Sequence, residues 1–171
     1  MKVLRFVVLL TLVSLLHFLG TRVLPDFPRA LDLFLVVTVV TAAGGSSLAG
    51  MLGGMSAGLV HDVVSGGLYG RLGFADTIVG YLTARVAQRL MFDRAGVILL
   101  TIVVATFAQQ GILLLVDFGL LGTLVPPEPW WWLFRGLAGG LLGGLSYVAS
   151  GAAQQARDRR RDRIERLRLS K

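Results

Sequence analysis

The sequence contains no cysteine. That excludes disulfides, thiolate metal sites and a cysteine nucleophile. It is also poor in charge, with 16% Asp, Glu, Lys and Arg against about 25% in an ordinary soluble domain. What it has instead is apolar mass: 54% hydrophobic residues in 171 positions and a mean hydropathy of +0.72. A chain this short cannot bury that much apolar surface in water. It must face lipid, which excludes a soluble enzyme, a secreted disulfide scaffold and a disordered protein. The formal net charge of +7 suggests a nucleic-acid binder until the charges are placed. Residues 157–171 hold eight Lys/Arg and three Asp/Glu, a net of +5, and the other 156 residues hold nine and seven, a net of +2. The basicity is a tail on a nearly neutral body, and no recognition fold or aromatic pattern accompanies it, so nucleic acid is not expected.

A bilayer core about 30 Å thick takes about 20 apolar helical residues. Six segments are read as candidate spans: Val3–Leu19, Ala30–Ala43, Leu48–Val64, Leu72–Leu90, Gly96–Val116 and Leu133–Ala153. A cleaved signal peptide competes for the first, but no small-x-small cleavage site follows it. The second span is short, so it tilts little or the hairpin of spans two and three is irregular. The expected organisation is a six-span transmembrane domain over 1–153 and a basic cytoplasmic tail over 154–171. Positive residues collect on the cytoplasmic side. With an internal N-terminus, thirteen Lys/Arg lie inside, and four (Arg22, Arg29, Arg71, Arg135) lie outside. Both termini are therefore expected in the cytoplasm. In the tail, Arg157, Arg159, Arg160, Arg161 and Arg163 are expected to fix topology with help from anionic lipid, the alternative being contact with a cytoplasmic protein partner.

Glycine is abundant, at 22 residues. In lipid, small residues let helix backbones approach. Span three carries Gly50, Gly54 and Gly58 in one row, continued by Asp62 and Gly66, and Ala49, Gly53, Ala57 and His61 in another. Span six carries Gly136, Gly140 and Gly144 beside Gly139 and Gly143. These stripes are expected to pack helices inside the bundle, or to meet a partner helix.

Ionisable groups at bilayer depth are costly and need partners. Asp62 is expected to accept hydrogen bonds from Ser65 and backbone N–H groups at the end of span three. Asp32 and Asp76 are expected in structural pairs, with Arg71 or Arg135 for Asp76. Gln109 and Gln110 fit interhelical hydrogen bonds. Trp130, Trp131 and Trp132 fit an interfacial aromatic anchor. Gly54-Met55-Ser56-Ala57-Gly58 matches the G-x-S-x-G pattern, but the strand-to-helix elbow that exposes such a serine is missing inside a helix. His61 lies five residues after Ser56 on the same helix, where the two face each other poorly. His17 is on another span. No metal-ligand set and no cofactor motif is evident.

The segment from Gly50 to Arg85 resembles a known family. A glycine-rich helix is followed by Asp62-Val-Val-Ser65-Gly66, by Gly70, and by a helix with Gly80-Tyr81-Leu82 that ends in Arg85. This is similar to the rod shape-determining protein MreD family. The resemblance implies an all-α, six-span membrane protein of the bacterial inner membrane, non-enzymatic and without cofactor. It implies binding to the bitopic protein MreC. It further implies action with the actin-like MreB, a SEDS glycosyltransferase and its class-B transpeptidase in lateral peptidoglycan synthesis and cell shape. The resemblance also implies an architecture similar to the substrate-binding S-components of energy-coupling-factor vitamin transporters, which is the alternative function. Against that alternative, span one has no alanine for an Ala-x-x-x-Ala docking stripe, and the body is expected to offer few inward polar groups for a vitamin.

Overall fold

The computed structural model describes residues 2–89, 95–122, 128–146 and 148–149. The tail and its arginines, Pro126 and Pro127 lie outside the described residues. Among the described residues the fold is all helix: α1 (Lys2–Val23), α2 (Phe27–Ala30), α3 (Leu33–Ala43), α4 (Ser47–Ser65), α5 (Arg71–Ala87), α6 (Ala95–Leu121) and α7 (residues 129–146). Among the described residues two helices are long and apolar enough to cross a membrane, Val3–Val23 and Gly96–Leu120.

The second predicted span is broken. Pro28 sits in the first turn of the one-turn helix α2, and Leu31 is extended, so the chain restarts at Asp32. Asp32 caps α3, accepting from the Leu35 N–H at 2.9 Å. The helix that follows has 11 residues, a length of about 16 Å at 1.5 Å per residue. That is about half of a 30 Å hydrocarbon core. Helix α3 is apolar all round and buried along most of its length, packed by α1, α4, α5 and α6. It is the axis of the bundle. Leu35, Val36 and Val39 meet Val79 of α5 and Ile98, Ile102 and Ala105 of α6, while Leu33, Phe34 and Val37 meet Val13 of α1.

Helices α4 and α5 form the most extensive contact, and glycine is the cause. A Cβ at Gly50 would lie 2.5 Å from the Gly80 carbonyl, and one at Gly58 would lie 2.5 Å from the Leu72 carbonyl. At Gly54 it would fall on the Asp76 carbonyl, and at Gly80 on the Gly50 carbonyl. The row Gly50, Gly54 and Gly58 is thus consumed inside the molecule. On α7, a Cβ at Gly136 would lie 3.2 Å from the Val103 backbone and one at Gly140 3.0 Å from the Leu99 side chain, both on α6, and Gly144 is buried. Helix α1 is peripheral. Apart from Val13 and His17, it turns Val3, Leu4, Val7, Leu12, Leu15 and Leu16 outward.

Helices α6 and α7 overrun the predicted boundaries. Residues 117–121 continue α6 and 129–132 begin α7, so both helices extend into the stretch between the fifth and sixth predicted spans. Trp130 is exposed, and Trp132 packs edge-on against Phe107 with ring centroids 6.0 Å apart.

Candidate functional site: a buried polar cluster

Asp32 is the hub. Its Oδ2 accepts from Arg135 Nη2 of α7 at 2.6 Å and from Gln109 Nε2 of α6 at 3.2 Å. The same Gln109 amide donates to Asp76 Oδ1 of α5 at 2.7 Å. One amide therefore bridges two carboxylates, and one carboxylate joins α3, α6 and α7. His61 Nδ1 of α4 stands 3.7 Å from Asp32 Oδ1, beyond hydrogen-bond range. His61 stacks on Phe34 at 4.5 Å between centroids and meets His17 of α1 edge-on at 5.2 Å. Every element except α2 contributes to this interior. Asp76 and Gln109 are fully buried, and Asp32 is 2% exposed. Six buried polar atoms among the described residues have no hydrogen-bond partner: the acceptors Asp76 Oδ2 and Gln109 Oε1, the hydroxyl Thr38 Oγ1, the ring nitrogens His17 Nδ1 and His61 Nδ1, and Arg135 Nε.

A second polar knot closes the α4–α5 turn. Asp62 Oδ2 accepts from the Gly70 and Gly73 N–H groups at 2.9 and 3.0 Å, and Oδ1 accepts from the Leu72 N–H at 3.0 Å. These N–H groups flank the start of α5, where no intrahelical acceptor exists. Gly66 at φ +67° ends α4 and Gly70 at φ +89° starts α5, both left-handed conformations that glycine adopts without a Cβ penalty. Ser65 is exposed and does not donate to Asp62, because the chain turns away from Ser65 and returns three amides from α5 instead. Beside the knot, Arg71 Nη1 donates to both Asp117 oxygens at 3.0 and 3.1 Å, tying α5 to α6.

Several sequence expectations change here. Asp76 pairs with neither Arg71 nor Arg135: Arg71 takes Asp117, and Arg135 takes Asp32. The expectation of few inward polar groups is overturned, because ten polar or charged side chains are buried among the described residues. Composition missed this because a low percentage of charge does not say that the few charges converge. Asp32, Asp76 and Arg135 each stand alone in an apolar run on a different span, and that was the available signal. Gln109 has two interhelical bonds. Gln110 is half-buried. Ser56 bonds its own helix, to the Leu52 carbonyl at 2.8 Å, while His61 faces inward to His17. Tyr81 is partly exposed, with the Arg85 guanidinium 5.8 Å above its ring.

The cluster binds its own helices together. Asp32 pairs with Arg135 and Asp76 is held by the Gln109 amide, and no nucleophile with an adjacent base occurs among the described residues. No group of three His, Cys, Asp or Glu suited to a metal ion occurs there either. Compared with known proteins, the sequence matches the family model of the rod shape-determining protein MreD over residues 1–128. No curated protein and no solved structure matches it. With about three quarters of the chain covered by that match, the chain belongs to the MreD family, a family of membrane proteins that determine rod shape.

Proposed function

We propose that this chain is a multi-pass, non-enzymatic scaffold subunit of the elongation complex in the bacterial inner membrane. It binds an MreC-like bitopic protein. Through that complex it bears on MreB, the SEDS glycosyltransferase and the class-B transpeptidase, and so on lateral peptidoglycan synthesis. The six spans correspond to α1, the broken α2–α3 unit, α4, α5, α6 and α7, with both termini cytoplasmic and an architecture similar to an S-component. The observation that carries the reading is the interior. Asp32, Asp76, Gln109 and Arg135 are committed to each other across four helices. A bundle locked at its centre presents its surface for use, and scaffolding is surface work. Family membership supplies the process.

Co-expression with an MreC-like protein, followed by pull-down, tests the reading. The expected result is a stable complex, with loss of rod shape on depletion of this chain and rescue by the intact gene. Absence of a complex together with normal shape on depletion contradicts it. A Gly54→Leu variant does not serve as the probe, because that position is filled by the α5 backbone.

The vitamin-transporter reading keeps one supporting observation, the unpartnered buried acceptors Asp76 Oδ2, Gln109 Oε1 and Thr38 Oγ1. A polar ligand group would bond there. Thermal unfolding against a vitamin panel separates the two readings: a flat panel is expected, and a clear shift by one compound would favour the transporter.

A further inference from the structure

A groove of about 660 Å³ opens between the start of α1, the end of α3 and the first half of α4, with Val3, Phe6, Thr41, Leu52, Gly53 and Ser56 among its walls. Helices α1 and α4 touch farther along, where His17 meets His61, and splay apart toward their first turns. Gly53 borders open space. A Cβ there would meet Thr41 Oγ1 at 3.6 Å and Phe6 at 3.9 Å, ordinary contact, whereas one residue on, at Gly54, it would strike backbone.

Two observations identify the occupant. The first is depth. The α4 wall runs from Ser46 to Ser56, ten residues or about 15 Å at 1.5 Å per residue. That equals one leaflet of a core about 30 Å thick. An acyl chain fits one leaflet, while a membrane-crossing helix needs a seat through both. The second is charge. Arg5, between the groove residues Val3 and Phe6 in α1, is exposed, and so are Arg85 and Arg89 at the end of α5. Gln88 Nε2 bonds Ser47 Oγ at 3.2 Å and so brings the end of α5 beside the start of α4. No Asp or Glu occurs in residues 2–8, 40–52 or 81–89. An apolar slot one leaflet deep under a basic rim is complementary to a phospholipid with an anionic headgroup.

We propose that this groove holds one acyl chain of an anionic phospholipid, with its phosphate against the basic rim. The inference rests on the membrane setting of the family and not on any protein partner, so loss of the MreC reading leaves it standing.

The test uses the full chain purified in mild detergent. Phosphatidylglycerol and phosphatidylcholine with identical acyl chains are compared by native mass spectrometry and by thermal unfolding. One phosphatidylglycerol per chain should be retained and should raise the unfolding temperature, and phosphatidylcholine should do neither. Arg5→Gln should weaken phosphatidylglycerol about fivefold, the effect of one basic residue near an anionic surface. Gly53→Leu should abolish retention while leaving the unfolding temperature of the delipidated protein unchanged. If Gly53→Leu does not fold, Ser56→Leu fills the same groove from a half-buried position whose hydroxyl bonds only its own helix. Equal retention of the two lipids overturns the proposal, as does undiminished retention in both filling variants. Loss of a co-expressed bitopic helix in those variants, with lipid unaffected, also overturns it and assigns the groove to a protein.

Discussion

Asp32 gathers a helix cap, an amide and a guanidinium onto one carboxylate, 2% exposed. Removing one partner of a buried pair is costly because the other is left charged and unpaired, typically by about 3–5 kcal/mol. Arg135→Gln is therefore expected to destabilise the protein strongly, as is Asp32→Asn. The double variant should lose less than the sum of the two, with a coupling of about 0.5–3 kcal/mol. Unfolding in detergent micelles measures all three. Strict additivity would show that the pair does not work as a unit. The residues of this cluster were legible in the sequence as isolated polar groups that need partners. The pairing was not. It depends on the break before Asp32 and on the rotation of α7, and hydropathy encodes neither.

The α4–α5 hairpin shows what element-scale patterning can and cannot say. Two rows of small residues with the same four-residue period run along α4, and the sequence gives no reason to rank them. The structure separates them: Gly54 meets the Asp76 backbone, whereas Gly53 opens on the groove. Gly54→Ala should overpack that contact and cost about 1–3 kcal/mol. Gly53→Ala should be neutral or gain up to about 1 kcal/mol from helix propensity. Equal effects in a thermal unfolding assay would contradict the assigned helix faces. At the turn, Asp62 satisfies three amides of α5 at once. Asn at position 62 loses the charge and turns one acceptor into a donor, and hydrogen bonds to charged groups contribute about 1.5–3 kcal/mol each. Asp62→Asn should therefore speed amide hydrogen exchange at Gly70, Leu72 and Gly73 more than elsewhere. Uniform acceleration would mean that Asp62 supports global stability and not this turn. That the hairpin exists was legible from the glycines and the D-x-x-S-G run. The donors to Asp62 were not, because Ser65 is nearer in sequence while Gly70, Leu72 and Gly73 are nearer in space.

For the whole molecule, the internal pairing leaves the arithmetic of orientation unchanged. Of the four positives proposed for the outer side, Arg71 is bonded to Asp117, Arg135 to Asp32, and Arg22 lies 5.1 Å over the Phe18 ring. Arg29 lies 4.0 Å from Asp26, both exposed, which is a weak pair. Orientation follows the number of Lys and Arg and not the net charge, so the proposed cytoplasmic N-terminus rests on thirteen positives against four and not on these pairs. The missing cysteine makes this directly measurable, since single cysteines can be introduced with no background to remove. Tyr69 in the α4–α5 turn and Trp130 at the start of α7 are each 78% exposed, and Val3 at the start of α1 is 75% exposed. In intact cells a membrane-impermeant maleimide admitted to the periplasm should label Tyr69→Cys and Trp130→Cys. It should leave Val3→Cys unlabelled until the inner membrane is opened. Labelling of Val3→Cys in intact cells with protection of the other two would invert the protein. It would also place the basic rim of the α1–α4 groove on the leaflet opposite to the one assigned by charge.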